Sequence, residues 1–159
     1  MCLFPMGGRQ NVLILPSQKA RKLADYLKVA IFMHFTLGVL LFPSGRFMDG
    51  VVDLIGATIG YLAIKDPIGY SIQQVLCYTL FCGMVLFWAA IRTTLYFTGV
   101  STDDAPGPAW QFYAYVGTLI AGPIIYTLGI VVGYQLYKEL KLIVEELQQG
   151  LGGGGGAPG

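Results

Sequence analysis

The sequence predicts an all-α membrane protein: a bundle of four transmembrane helices, followed by a cytosolic amphipathic helical extension. Three observations predict it. Charged residues make up 12% of the 159, about half the roughly 25% of an ordinary soluble domain, and the mean hydropathy is +0.62. Four apolar runs of spanning length are separated by proline, glycine and charged residues. After Tyr134 Leu136, Leu140, Ile143, Val144 and Leu147 recur at the spacing of one helical face. At about 20 residues per crossing, the length leaves no room for a large catalytic ectodomain. Ten Lys and Arg against nine Asp and Glu provide no basic surplus for a nucleic-acid partner.

Each element follows from its residues. Residues 1–16 form an N-terminal segment broken by Pro5, Gly7 and Gly8. It lacks a small-residue cleavage site, so the first crossing is expected to act as the insertion signal. The membrane domain covers 17–149. Ser17, after Pro16, is a helix cap, and the first apolar run spans about 23–42. Pro43, Ser44 and Gly45 turn the chain into the second run, 47–64, which carries Asp49 and Asp53 and ends at Lys65-Asp66-Pro67, where proline blocks continuation. The third, 72–97, has Arg92 as its only charge. Thr98 to Ala109 is a polar connection. The fourth, 110–137, is uncharged and would be about 42 Å long, so it must tilt, emerge from the bilayer or kink, with Pro123 the expected kink. The helical pattern then persists to 149, ahead of a Gly-rich tail at 150–159.

Eight of the ten basic residues, Arg9, Lys19, Arg21, Lys22, Lys28, Lys65, Lys138 and Lys141, fall on one side of this layout. The positive-inside rule therefore expects both termini in the cytosol or its equivalent. Trp110, Phe112, Tyr113 and Tyr115 mark one boundary, Tyr134 and Tyr137 the other. The apolar stripe of the extension calls for a partner: the headgroup layer, the basic start of the first helix, or another protein. Cys2, Cys77 and Cys82 make neither a metal set nor a disulfide framework. Cys2 is a candidate for acylation if it faces the cytosol.

An ionisable group within hydrocarbon costs at least about 2.5 to 3.5 kcal/mol on insertion scales, so each needs a partner. Arg46, Asp49, Asp53, Gly56 and Gly60 follow at steps of three or four and share one helix face. By rise alone Asp53 lies about 9 Å from Phe47, Arg92 about 7.5 Å from Phe97, and His34 about 12 Å from the end of its run. Arg92 can therefore reach Asp49 or Asp53. Two readings follow for the intramembrane cluster of His34, Arg46, Asp49, Asp53 and Arg92. One is a proton or cation path. The other is a packing lock in which Asp53 pairs with Arg92, His34 bonds a backbone carbonyl and Asp49 sits among headgroups. The lock is favoured, because a path needs polar residues to the far side and the inner halves offer mainly Tyr61, Thr79 and Tyr126. Under it, Asp53→Asn costs stability more than flux. Gly56 with Gly60 and Gly129 with Gly133 form small-xxx-small packing seams.

No cofactor is expected. One histidine cannot supply bis-histidine haem ligation, no lysine sits mid-span for a Schiff base, and no P-loop, HExxH or GxSxG is present. The four-span layout resembles that of many tetraspan families, MARVEL-type proteins among them, and singles out none. The chain reads as a non-catalytic multi-pass protein, foremost an accessory or scaffold subunit of a larger membrane complex, with the bilayer and other subunits or copies of itself as partners. The alternative is a small proton or cation transporter or channel, monomeric or homo-oligomeric, built on the ionisable cluster. Membrane shaping by the two terminal helices is a third, weaker reading.

Overall fold

The structure, a computed structural model, describes residues 17–65, 69–99 and 108–152, the side chains of 150–152 excepted. Cys2, Arg9, Pro16, Asp66, Pro67 and most of the Gly-rich tail lie outside the described residues. The chain forms α1 (Gln18–Leu41), α2 (Phe47–Ile64), α3 (Ile72–Phe97) and α4 (Ala109–Gly152). Each is long and apolar enough to cross a membrane. They run alternately up and down, and each packs on its chain neighbours, with α4 returning to α1 and α2 against α3 the sparsest pairing. We call the end carrying Gly45 and Gly99 the upper end, and the end carrying Ser17 and Tyr70 the lower.

Local chemistry sets the boundaries. The Ser17 hydroxyl accepts from the Ala20 N–H at 3.1 Å, capping α1 as its position before the apolar run implies. At the top of α1 the Arg46 N–H bonds the Leu41 carbonyl and the Gly45 N–H the Phe42 carbonyl. This Schellman pattern needs a left-handed residue at its turn, and Gly45 supplies it with φ +82°.

The lower half is a dry core. Ala20, Ala24 and Leu27 of α1 meet Val75 of α3 and Leu136 and Leu140 of α4 in one cluster, all fully buried. Small residues on α1 let α4 approach closely, and the long leucines fill the space. The stripe beyond Tyr137 therefore finds its partner within the chain, at the basic start of α1. Ile143 and Val144 pack on the same cluster, and Lys19 pairs with Glu139. Only Leu147, 53% exposed, is left over. Nor is the extension a separate element: α4 is one helix of 44 residues, about 66 Å at 1.5 Å per residue, more than twice a hydrocarbon core.

Both glycine seams are also used inside the chain. A Cβ at Gly56 would stand 2.3 Å from Phe81 Cε1, and one at Gly60 2.8 Å from Ile31 and Tyr78. At Gly133 it would stand 2.4 Å from Thr79 Oγ1. A third close approach escaped the sequence reading: α1 and α2 cross at Gly38 and Gly50, where a Cβ on Gly50 would come within 2.9 Å of the Gly38 carbonyl oxygen.

Candidate functional site: a charged cleft over a buried carboxylate

The predicted cluster divides into two groups at different depths. Nearer the upper end, Arg92 of α3 sends Nη1 and Nη2 to Oδ2 and Oδ1 of Asp49, at 2.5 and 3.1 Å. Arg46, at the start of α2, donates its Nε to Asp49 Oδ2 at 2.7 Å and lies 5.7 Å over the Tyr115 ring. Two guanidinium groups thus share one carboxylate. The fork of Arg92 matches a carboxylate's two oxygens, which makes this a bidentate charge-assisted pair.

One helical turn deeper, Asp53 is buried and takes a different set of partners. Tyr126 of α4 places its hydroxyl 2.7 Å from Asp53 Oδ2 and 2.9 Å from Oδ1. His34 Nε2 of α1 is 3.3 Å from Oδ1. His34 is fully buried, its ring tilted against Tyr126, Tyr78 and Phe81. Gly56 leaves the space for that ring, since a Cβ there would touch His34 Cε1 at 3.0 Å. With Nε2 turned to Asp53, His34 Nδ1 has no hydrogen-bond partner among the described residues.

This arrangement corrects the packing lock in its details. Asp53 does not pair with Arg92, and His34 bonds a carboxylate in place of a backbone carbonyl; of the two carboxylates within reach of Arg92, it takes Asp49. Tyr126, assigned by its numbering to the inner half, reaches Asp53 instead. The reason is the stagger of α4. Its Leu119 carbonyl lies level with Thr93, whose hydroxyl is 3.4 Å away. By rise Thr93 is about 6 Å from the end of α3 and Leu119 about 15 Å from the start of α4, so the first turns of α4 stand above its neighbours.

That Thr93 contact also answers the cost of Pro123. A proline lacks the N–H that would bond the carbonyl four residues back, which here is Leu119, and the Thr93 hydroxyl supplies a donor from α3. Pro123 therefore lies inside a continuous α4, beside the cleft.

Below His34 the polar line continues. The Tyr78 ring is 6.1 Å from that of His34, and its hydroxyl meets the Cys82 thiol next to Gly129. By rise Tyr78 lies about 9 Å from the lower end of α3. Then the packed apolar layer of Leu27, Val75 and Leu136 ends the polar line.

A cleft of about 310 Å³ joins the two groups, with Arg46, Asp49 and Arg92 on its walls and Asp53 and Tyr126 at its floor. Val52, Met84 and Trp88 line it too and are exposed, which places its mouth between α2 and α3. Among the described residues no group of His, Cys, Asp and Glu is arranged to hold a metal ion. Compared with known protein families, with curated proteins and with solved structures, the chain matches none.

Proposed function

We propose that the chain is a small, non-catalytic membrane transporter that exchanges protons at the Asp53–His34 pair, with its upper cleft open to the non-cytosolic side and both termini in the cytosol. The observation that carries this reading is one contact: a buried carboxylate bonded to a buried imidazole, at the floor of a cleft with room for water. Carboxylate and imidazole groups inside a membrane commonly relay protons. Tyr126 bridges the cleft to the pair, and Tyr78 continues the polar line downward. On this reading passage to the cytosol requires the layer of Leu27, Val75 and Leu136 to part, and the arrangement is an outward-open, inward-closed state. The orientation rests on the seven described basic residues toward the lower end, Lys19, Arg21, Lys22, Lys28, Lys65, Lys138 and Lys141.

The test uses purified full-length protein in liposomes loaded with a pH-sensitive dye. Wild type should dissipate an imposed pH gradient faster than empty vesicles. Asp53→Asn, which keeps the shape and one acceptor for Tyr126, should abolish the excess flux by about tenfold or more while eluting and melting near wild type. Flux indistinguishable from empty vesicles would sink the proposal. So would an unaffected rate in Asp53→Asn.

The accessory-subunit reading keeps one supporting feature. The extension stripe and glycine seams are occupied within the chain, but α3 is the least buried helix and exposes Leu80, Met84, Phe87 and Trp88. Stoichiometric co-purification with an unlike membrane subunit, lost on Phe87→Ser, supports that reading over transport.

A further inference from the structure

We infer that the upper cleft binds an amphiphile with an anionic headgroup, admitted sideways from the bilayer between α2 and α3. The inference goes beyond proton exchange and stands without it.

Access comes first. The cleft is lined by all four helices, yet its exposed lining residues, Val52, Met84 and Trp88, belong to α2 and α3 alone. Those two helices also make the sparsest pairing of the bundle. By rise Val52 lies about 7.5 Å below the start of α2, and Trp88 and Met84 about 13.5 and 19.5 Å below the end of α3. The mouth therefore runs from the headgroup boundary down into hydrocarbon. Water meets only its upper edge, at the headgroup boundary, whereas a molecule with an acyl chain lies along its whole length.

Charge sets the headgroup. The polar wall behind the mouth holds the guanidinium groups of Arg46 and Arg92 around the single carboxylate of Asp49. The other carboxylate, Asp53, is a turn deeper, with Tyr126 on both oxygens and His34 on one. The groups nearest the mouth thus carry one more positive than negative charge. The N-terminal end of α2, whose cap position Arg46 makes no side-chain capping bond, adds the positive end of a helix dipole near the same level. A phosphate or carboxylate headgroup fits that field, while its chain leaves along Val52, Met84 and Trp88.

The experiment titrates full-length protein in neutral detergent with dioleoylphosphatidylglycerol, dioleoylphosphatidylcholine and sodium phosphate, reading retention by native mass spectrometry. The anionic lipid should be retained roughly tenfold more tightly than the zwitterionic one, and sodium phosphate should not displace it at millimolar concentration. Val52→Trp narrows the mouth without touching the ion pairs, and should weaken retention with an unchanged melting temperature. Met84→Trp makes the same test from α3 if the first variant fails to fold. Arg92→Gln should erase the preference for the anionic headgroup. Equal retention of both lipids by wild type, full displacement by inorganic phosphate, or unaltered retention in both tryptophan variants would each overturn the inference. Proton flux has no part in this readout, so its absence leaves lipid retention to be judged separately.

Discussion

The two halves of this bundle are built from opposite materials. Below His34, past the Tyr78 hydroxyl, the helices meet through alanines, glycines and leucines: Ala20, Ala24, Leu27, Val75, Leu136 and Leu140 are all fully buried. Above it the centre is charged and incompletely filled, with two arginines and two aspartates around a cleft. The lower half shows what close backbone approach does for stability when side chains add only dispersion. The upper half shows that a bundle of apolar helices tolerates charge in its interior when every charge has a bonded partner. A protein designed only to stay folded has no need of the upper half, and that contrast directs attention to function.

The comparison can be broken most severely from below. Leu140→Ala removes a fully buried side chain from the contact between α4 and the start of α1, and should cost about 2 to 5 kcal/mol. A lower melting temperature in detergent, followed by tryptophan fluorescence, checks it. In the upper half Asp53→Ala strips the acceptor from both Tyr126 and His34, leaving two buried groups unpaired at about 1 to 3 kcal/mol each. Asp53→Asn should cost markedly less, and an equal loss in the two variants would show that packing, not hydrogen bonding, holds this layer.

Glycines sharpen the contrast further. Gly56→Ala drives a methyl into Phe81 and His34 and should destabilise by about 1 to 3 kcal/mol. Gly117→Ala meets nothing within 4 Å and should be neutral or stabilising by up to about 1 kcal/mol, through helix propensity alone. Matched thermal melts of the two variants suffice. The smallest effect is expected at the Lys19–Glu139 pair. Lys19 is 71% exposed, so Lys19→Met should change stability by no more than about 0 to 1 kcal/mol, and less still in high salt. A larger change would mean that the lower half depends on charge as the upper half does.

Much of this was legible in the residues. Ser17, the Pro43 to Gly45 turn, Arg92 as the one charge of its run and the shared face of Arg46, Asp49 and Asp53 all carry their meaning in local spacing. Tyr126 was harder. A tyrosine in the middle of an apolar run has a hydroxyl that needs a partner, but which partner it meets depends on helix stagger, which is not a local property. The pairing of Arg92 with Asp49, and of Asp53 with Tyr126 and His34, depends on the same stagger. Gly38 and Gly50 carry no joint signal, since they lie on different helices and only their crossing relates them.

What the residues determined alone is the set of helices: hydrophobic content, proline and glycine punctuation and capping act within a few residues, so they can be read along the chain. What only the packed bundle decided is which polar group meets which, and where space is left over. Those depend on how four rigid rods slide and rotate against one another, and sub-helical shifts of a few ångströms choose between an aspartate held by an arginine and one held by a tyrosine and a histidine.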